Sequence, residues 1–207
     1  VRNECIISID GAVEYSLNVK RSKFLGHAEP VFNVDTARRV IKNISRSHRS
    51  ATHNCWAYKI GEETGFSDSG EPSGTAGRPI LSAIEKMRLN GVVVIVTRYF
   101  GGIKLGKRGL IEAYFTTALR TLEKAKRIEY HPFLIVEIRM NYDVYDRFMR
   151  YISNMKVKFD EGGFSYCEDG LMGRMKILKN DYEGMKEYFG DSVEMKVMNA
   201  TFETFDS

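Results

Sequence analysis

Hydrophobic and polar residues alternate over "AVEYSLNV" (12–19), the period of a strand with one buried face. A second strand is expected over "FLGHAEPVF" (24–32), with Pro30 at its end or on an edge, because proline cannot donate to a sheet ladder. The period then changes. In "DTARRVIKNISRSHRS" (35–50) the apolar residues Ala37, Val40, Ile41 and Ile44 fall at helical spacing behind Asp35, the expected N-cap. "HNCWAYKIG" (53–61) returns to alternation, and "GFSDSGEPSGTAGRP" (65–79) has no period and reads as a loop. Pro79 suits the first turn of a helix whose inner face is Ile80, Ile84 and Met87. "VVVIVTRYF" (92–100) begins apolar and ends polar, as a strand buried on both faces does where it emerges at a functional edge. After a glycine-rich loop comes a helix of about four turns, with Leu110, Ile111, Tyr114, Ala118 and Leu122 facing inward.

"KAKRIEYHP" (124–132) reads as a polar linker, and beyond it the order is β-α-β-β-α-β. "FLIVEIRM" is a strand and "DVYDRFMRYI" an aspartate-capped helix; two strands then meet at Asp169-Gly170, a strong hairpin signal. Asn180 and Glu183 form the expected capping box of a short helix closed by Gly190, and "VEMKVMNATF" is the last strand. That is the ferredoxin-like order. The fold class is therefore α+β, with domains at 1–128 and 129–207.

Charge repeats the division. Residues 1–128 hold 21 Lys and Arg against 12 Asp and Glu, +9, whereas residues 129–207 hold 10 against 15, −5. A basic half points to an anionic partner. Within it Arg38, Lys42, Arg46 and Arg49 share one face of the first helix, away from its apolar stripe. The bulk composition, 43% hydrophobic and 28% charged, is that of a globular protein. No apolar run approaches the roughly 18 residues of a membrane helix, so no membrane partner is expected. Cys5, Cys55 and Cys167 form no C-x-x-C pair, which fits reduced thiols and a cytoplasmic location.

"TRYFGGIKLGKRGL" (97–110) nearly spells a nucleotide-binding loop, Gly101 and Gly106-Lys107 matching G-x-x-x-x-G-K. Arg108 stands where a Ser or Thr hydroxyl must meet magnesium, which argues against nucleotide hydrolysis. Arg98, Lys104, Lys107 and Arg108 instead place four cations beside a helix N-terminus, a combination suited to phosphates along a polymer. Tyr99 would stack on unpaired bases, as would Phe100 if it were exposed; ending an apolar strand, Phe100 is expected in the core. His48, His53 and Cys55 make an incomplete zinc set, so neither metal nor cofactor is expected. Asp68 and Glu71 near Ser73 and Thr75 leave an enzymatic alternative, a small-molecule or phosphoester enzyme using Asp68, Glu71 and Arg98.

"RSKFLGHAEPV", "ATHNCWAYKIG", "SDSGEPSGTAGRPIL" and "VVVIVTRYFGGIKLG" together resemble the IMPACT/YigZ family over about residues 12–125. The tail resembles, less distinctly, the C-terminal domain of the bacterial YigZ-type members. The resemblance implies an N-terminal ribosomal protein S5 domain 2-like α/β sandwich followed by a ferredoxin-like domain. It also implies a motif surface of His53, Tyr58, Asp68, Glu71, Ser73, Thr75, Arg78, Arg98, Tyr99, Gly101, Gly102 and Lys104. Ser69 replaces a second aspartate common in the family, and Lys107-Arg108 replaces small residues; both changes favour an anionic partner over hydrolysis. The expectation is a non-enzymatic translation-associated regulator that binds RNA or the ribosome through Arg98, Tyr99, Lys104, Lys107 and Arg108, extended by Arg38, Lys42, Arg46 and Arg49. A pure protein-interaction module, with a partner in the translation apparatus, is the other alternative, and the oligomeric state stays open.

Overall fold

The structure, a computed structural model, describes residues 5–204 in two compact units, Ile6–Glu129 and the chain from Tyr130 onward. It is a mixed α+β chain with antiparallel sheets and, among the described residues, five α-helices.

The first unit carries β1 (Ile6–Ile9), β2 (Val13–Val19), β3 (Ser22–Pro30), α1 (Val34–Ser47), β4 (His53–Ile60), β5 (Glu63–Ser67), α2 (Gly77–Lys86), β6 (Val92–Tyr99) and α3 (Gly106–Glu123). Its five-stranded sheet has the order β2-β3-β6-β4-β5, with every pairing antiparallel. β6 is the middle strand, and Val92, Val93, Val94, Ile95 and Val96 are all at 0% exposure. Burial of each such side chain is worth roughly 1.5–3 kcal/mol, which makes this strand the rigid rod on which residues 97–99 are mounted. Val92, Val94 and Val96 meet Ile80, Ile84, Leu110, Tyr114 and Leu122 of α2 and α3 on one face. On the other face Val93 and Ile95 join Ala37 and Val40 of α1.

Three local expectations give way here. Asn33, not Asp35, caps α1: its extended backbone (φ −149, ψ 157) lets Oδ1 accept the Thr36 N–H at 2.8 Å. Asp35 sits two residues further on, in the first turn, where a negative charge suits the helix dipole. Residues 65–67, read as the start of a loop, belong instead to the edge strand β5 (Glu63–Ser67). Nothing in their own sequence alternates, and the strand is held by its ladder to β4, where the Tyr58 ring covers Gly65. Ile111 is 44% exposed, because the buried stripe of α3 runs through Leu110, Ala113, Tyr114, Thr117, Ala118, Thr121 and Leu122, about 100° away around the helix.

The second unit follows β7 (Arg127–Met140), α4 (Tyr142–Ile152), β8 (Val157–Cys167), β9 (Gly170–Leu178), α5 (Lys179–Phe189), a single 3-10 turn (Gly190–Ser192) and β10 (Val193–Glu203). Its strands lie in the order β10-β7-β9-β8, antiparallel throughout, and Phe148, Met175, Ile177 and Met185 are at the centre of its core. The expected hairpin forms, but it turns at Glu168-Asp169, one residue before the Asp-Gly pair, with Gly170 already in β9 and paired to Cys167. Residues 124–132 are not a linker: a turn of three residues ends α3, and β7 begins at Arg127 and runs unbroken past the boundary between the units. Asn141 rather than Asp143 precedes α4. Asn180 lies inside α5, since β9 passes directly into the helix at Leu178, so no capping box forms.

Candidate functional site

Antiparallel register builds the site's floor. Arg98 is paired across the ladder with His53 of β4 on one side and Phe24 of β3 on the other, so all three side chains share the face beneath α3. Arg98 is only 5% exposed. Its Nη1 donates to Glu71 Oε1 at 2.7 Å, Nη2 reaches Ser22 Oγ at 3.5 Å, and the guanidinium lies over the rings of Phe24 and Phe100. A cation taken out of water needs this much compensation. Arg98 is therefore not an exposed phosphate contact, as its place in the basic loop suggested; the aliphatic strand that carries it also buries it.

Glu71 accepts a second hydrogen bond on the same oxygen, from Tyr114 Oη at 2.8 Å, and His53 Nε2 stands 4.0 Å away. His53 Nδ1 donates to the Ser69 carbonyl at 3.0 Å. Cys55 adds its Sγ–H toward the Asp68 carbonyl and Tyr114 Oη, at 3.0 and 3.4 Å. Burial pushes the Cys55 thiol up to about 12, despite the Tyr114 hydrogen bond that lowers it, so the sulfur stays protonated. Burial likewise drives the Tyr114 hydroxyl far above its ordinary range, keeping it a donor to Glu71.

Asp68 has a structural task. Its Oδ2 accepts from the Gly74 N–H and its Oδ1 from those of Ala76 and Gly77, at 2.8 to 2.9 Å, so a carboxylate eight residues upstream closes the N-terminus of α2. Burial alone would raise its carboxyl; the three N–H bonds from Gly74, Gly77 and Ala76 outweigh that and hold it below the ordinary range. Thr75 Oγ1 donates to the Pro72 carbonyl at 2.6 Å and is buried, while Ser73 is exposed. The enzymatic arrangement of Asp68, Glu71 and Arg98 is thus committed elsewhere: Asp68 to backbone amides, Glu71 and Arg98 to one another.

The glycine loop is shaped by close packing. A Cβ on Gly101 would lie 1.9 Å from the Arg21 carbonyl oxygen, so only glycine fits, and Gly102 has φ +84. The amides of Phe100 and Gly101 donate to Thr52 Oγ1 and Ser22 Oγ at 2.9 and 3.3 Å. They are directed into the protein instead of presented to a phosphate, which accounts for the coincidental likeness to a nucleotide-binding loop.

Beyond the loop the picture reverses. Lys104, Lys107 and Arg108 are exposed and form no ion pair among the described residues. No side chain caps α3, and no acid lies in its first turn. Phe100, expected in the core, is 45% exposed: the first residue past β6, it leaves the sheet and lies over Arg98. A cleft of about 420 Å³ opens between His53, Glu71 and Pro72 on one side and Lys104 to Lys107 on the other, with Arg98 and Phe100 lining it.

The remaining motif residues lie apart. Tyr58, stacked on Trp56, faces the side of the sheet that α1 covers, and Arg78 lies over the exposed ring of Phe66. Tyr99 is half-buried, with its hydroxyl 2.9 Å from His48 Nδ1, a contact that ties the end of α1 to the end of β6. Arg38, Lys42 and Arg46 are exposed along α1, but the helix ends at Ser47, so Arg49, also exposed, lies in the turn beyond it and not on the helix face. Of the four only Arg38 is near an acid, Asp35 at 3.7 Å. Two participants escaped the sequence reading: Tyr114, taken as an inward apolar position, and Ser22. For Tyr114 there was a signal, since a tyrosine in the middle of a buried stripe needs a partner for its hydroxyl.

Fold and site define a two-unit α+β protein with a buried Arg–Glu–Tyr network under an exposed basic loop. Residues 20–122 match the Impact N-terminal domain, and the chain belongs to the IMPACT family. It is 46% identical over 110 residues to "IMPACT family member YvyE" of Bacillus subtilis, covering 52% of this chain and 51% of that one. To "IMPACT family member YigZ" of Escherichia coli it is 34% identical over 117 residues, 53% of this chain and 57% of that one. "Protein IMPACT" of Rattus norvegicus is 36% identical over 93 residues, 42% of this chain and 29% of that one. The matched segment therefore spans about half the length of the bacterial relatives and less of the mammalian one. A crystal structure described only as a hypothetical protein shares the fold over 95% of this chain and 98% of its own, with a TM-score of 0.68 and 22% identity.

Proposed function

We propose that the protein is a cytoplasmic, non-enzymatic regulator associated with translation, which binds RNA or the ribosome through the basic surface of its first unit. The observation that carries this reading is the start of α3, where Lys104, Lys107 and Arg108 stand exposed, with no ion-pair partner among the described residues, at the N-terminus of an 18-residue helix that no side chain caps. Free N–H groups and cations together attract phosphate and need no metal. The α1 face extends the same charge, and the +9 of residues 1–128 supplies a long-range field that steers a polyanion. Two finer fold readings agree with this setting: an S5 domain 2-like first unit, and a ferredoxin-like second unit supported by its β10-β7-β9-β8 order. Membership of the IMPACT family, which includes "Protein IMPACT" of Rattus norvegicus, supports a setting in translation.

The test is direct binding. Purified protein is titrated against ribosomes, transfer RNA and a single-stranded RNA at low salt, and association with at least one is expected. Absence of measurable affinity for all three overturns the reading.

A further inference from the structure

The cleft above Arg98 differs in kind from the open surface beside it. It joins the N-terminus of α3 to a set of convergent side chains: His53, Glu71, Arg98, Phe100, Lys104 and Lys107. Its volume of about 420 Å³ lies within the range of small-ligand sites. Arg98 lines it while only 5% exposed, and Arg98 Nε is the one buried side-chain nitrogen or oxygen left without a partner among the described residues. Buried donors are ordinarily satisfied, so an orphan on a guanidinium beside a cleft marks a place for an acceptor. The charges of the lining also select. Glu71 cancels Arg98, and Lys104 and Lys107 leave about +2, the complement of a phosphomonoester near −2, which carries about twice the charge of an internal diester of RNA. Phe100, 45% exposed at the rim, offers a flat apolar face for a base.

We propose that this cleft is a binding site for a terminal nucleotide, taking a phosphomonoester at the α3 N-terminus between Lys104 and Lys107 and stacking the attached base on Phe100. The ligand chemistry is shared by a free mononucleotide and by a phosphorylated RNA end; the proposal rests on the RNA-binding reading above for the second source only. No covalent step is involved.

Three oligoribonucleotides of one sequence separate the cases, bearing a 5′-phosphate, a 3′-phosphate or neither, with adenosine monophosphate as competitor. One phosphorylated oligonucleotide is expected to bind about tenfold more tightly than the unphosphorylated one, since a charge-assisted contact is lost without the end group. Adenosine monophosphate should compete for that difference. Lys104→Ala with Lys107→Ala should reduce the preference to less than about twofold, and Phe100→Leu should weaken adenosine monophosphate while leaving the fold intact. Equal and measurable binding of all three oligonucleotides overturns the pocket and leaves RNA binding standing. Binding of adenosine monophosphate with no oligonucleotide bound supports the pocket and overturns RNA binding. If neither monophosphate nor RNA binds, both fall.

Discussion

Glu71 Oε1 receives Arg98 Nη1 at 2.7 Å and Tyr114 Oη at 2.8 Å, and both charged partners are almost wholly out of water. Removing one partner of such a pair leaves the other buried and uncompensated, at a cost of ~3–5 kcal/mol, whereas an apolar replacement of both is often close to neutral. Arg98→Met and Glu71→Leu should each destabilise by about that much, with the double variant losing far less than the sum. Urea denaturation of the four proteins gives the coupling; additive losses would mean that the ion pair does not hold the site. Asp68 allows a pH test. Its carboxyl is held below the ordinary range, so the stability it confers is complete above the unfolded value near ~3.9 and disappears as pH falls through the folded one. Asp68→Asn should therefore cost ~1–2 kcal/mol at neutral pH, with the gap to the wild type closing in acid. A gap as wide at pH 3 as at pH 7 would contradict the capping role of the carboxylate.

At the scale of elements, long apolar periods were the legible part. β6, the inner face of α2, that of α3 apart from Ile111, and the presence of a β-hairpin beside Asp169-Gly170 follow from spacing and turn chemistry. What escaped depended on partners distant in sequence. β5 exists because β4 offers it a ladder and Tyr58 covers Gly65. Arg98 and Phe100, two residues apart and so on one face, exchanged their expected environments because β6 ends at Tyr99: Arg98 is still enclosed between its ladder partners Phe24 and His53, whereas Phe100 lies past the ladder. The stretch 124–132 looked like a linker since Lys and Arg crowd its start, yet Arg127 donates from Nη2 to the Met87 carbonyl at 2.9 Å and already belongs to β7. Native trypsin should therefore leave Lys124, Lys126 and Arg127 uncut under conditions that nick exposed loops, because a three-residue turn between a helix and a strand cannot enter a protease cleft without local unfolding. Early fragments ending at these residues would show that the turn opens.

For the molecule as a whole, the property that decides its partner is electrostatic. Residues 1–128 hold an excess of nine positive charges, and the exposed cations without an acid partner among the described residues include Lys104, Lys107 and Arg108 around the start of α3 and Lys42 and Arg46 on α1. Both locations were legible as basic stretches in the sequence. That Lys104, Lys107 and Arg108 stay free while Arg98 does not could be seen only in the fold. Arg98 apart, three phosphate contacts are assigned to the loop, and each contributes about 0.7–0.9 to the log–log salt dependence of binding. The most direct measurement is the affinity for a single-stranded RNA at a series of salt concentrations, for the wild type and for Lys104→Ala/Lys107→Ala/Arg108→Ala. Weaker binding by the variant and a slope lower by about two units is the predicted result. Identical slopes, with or without a change in affinity, would contradict the assignment of this surface to phosphate.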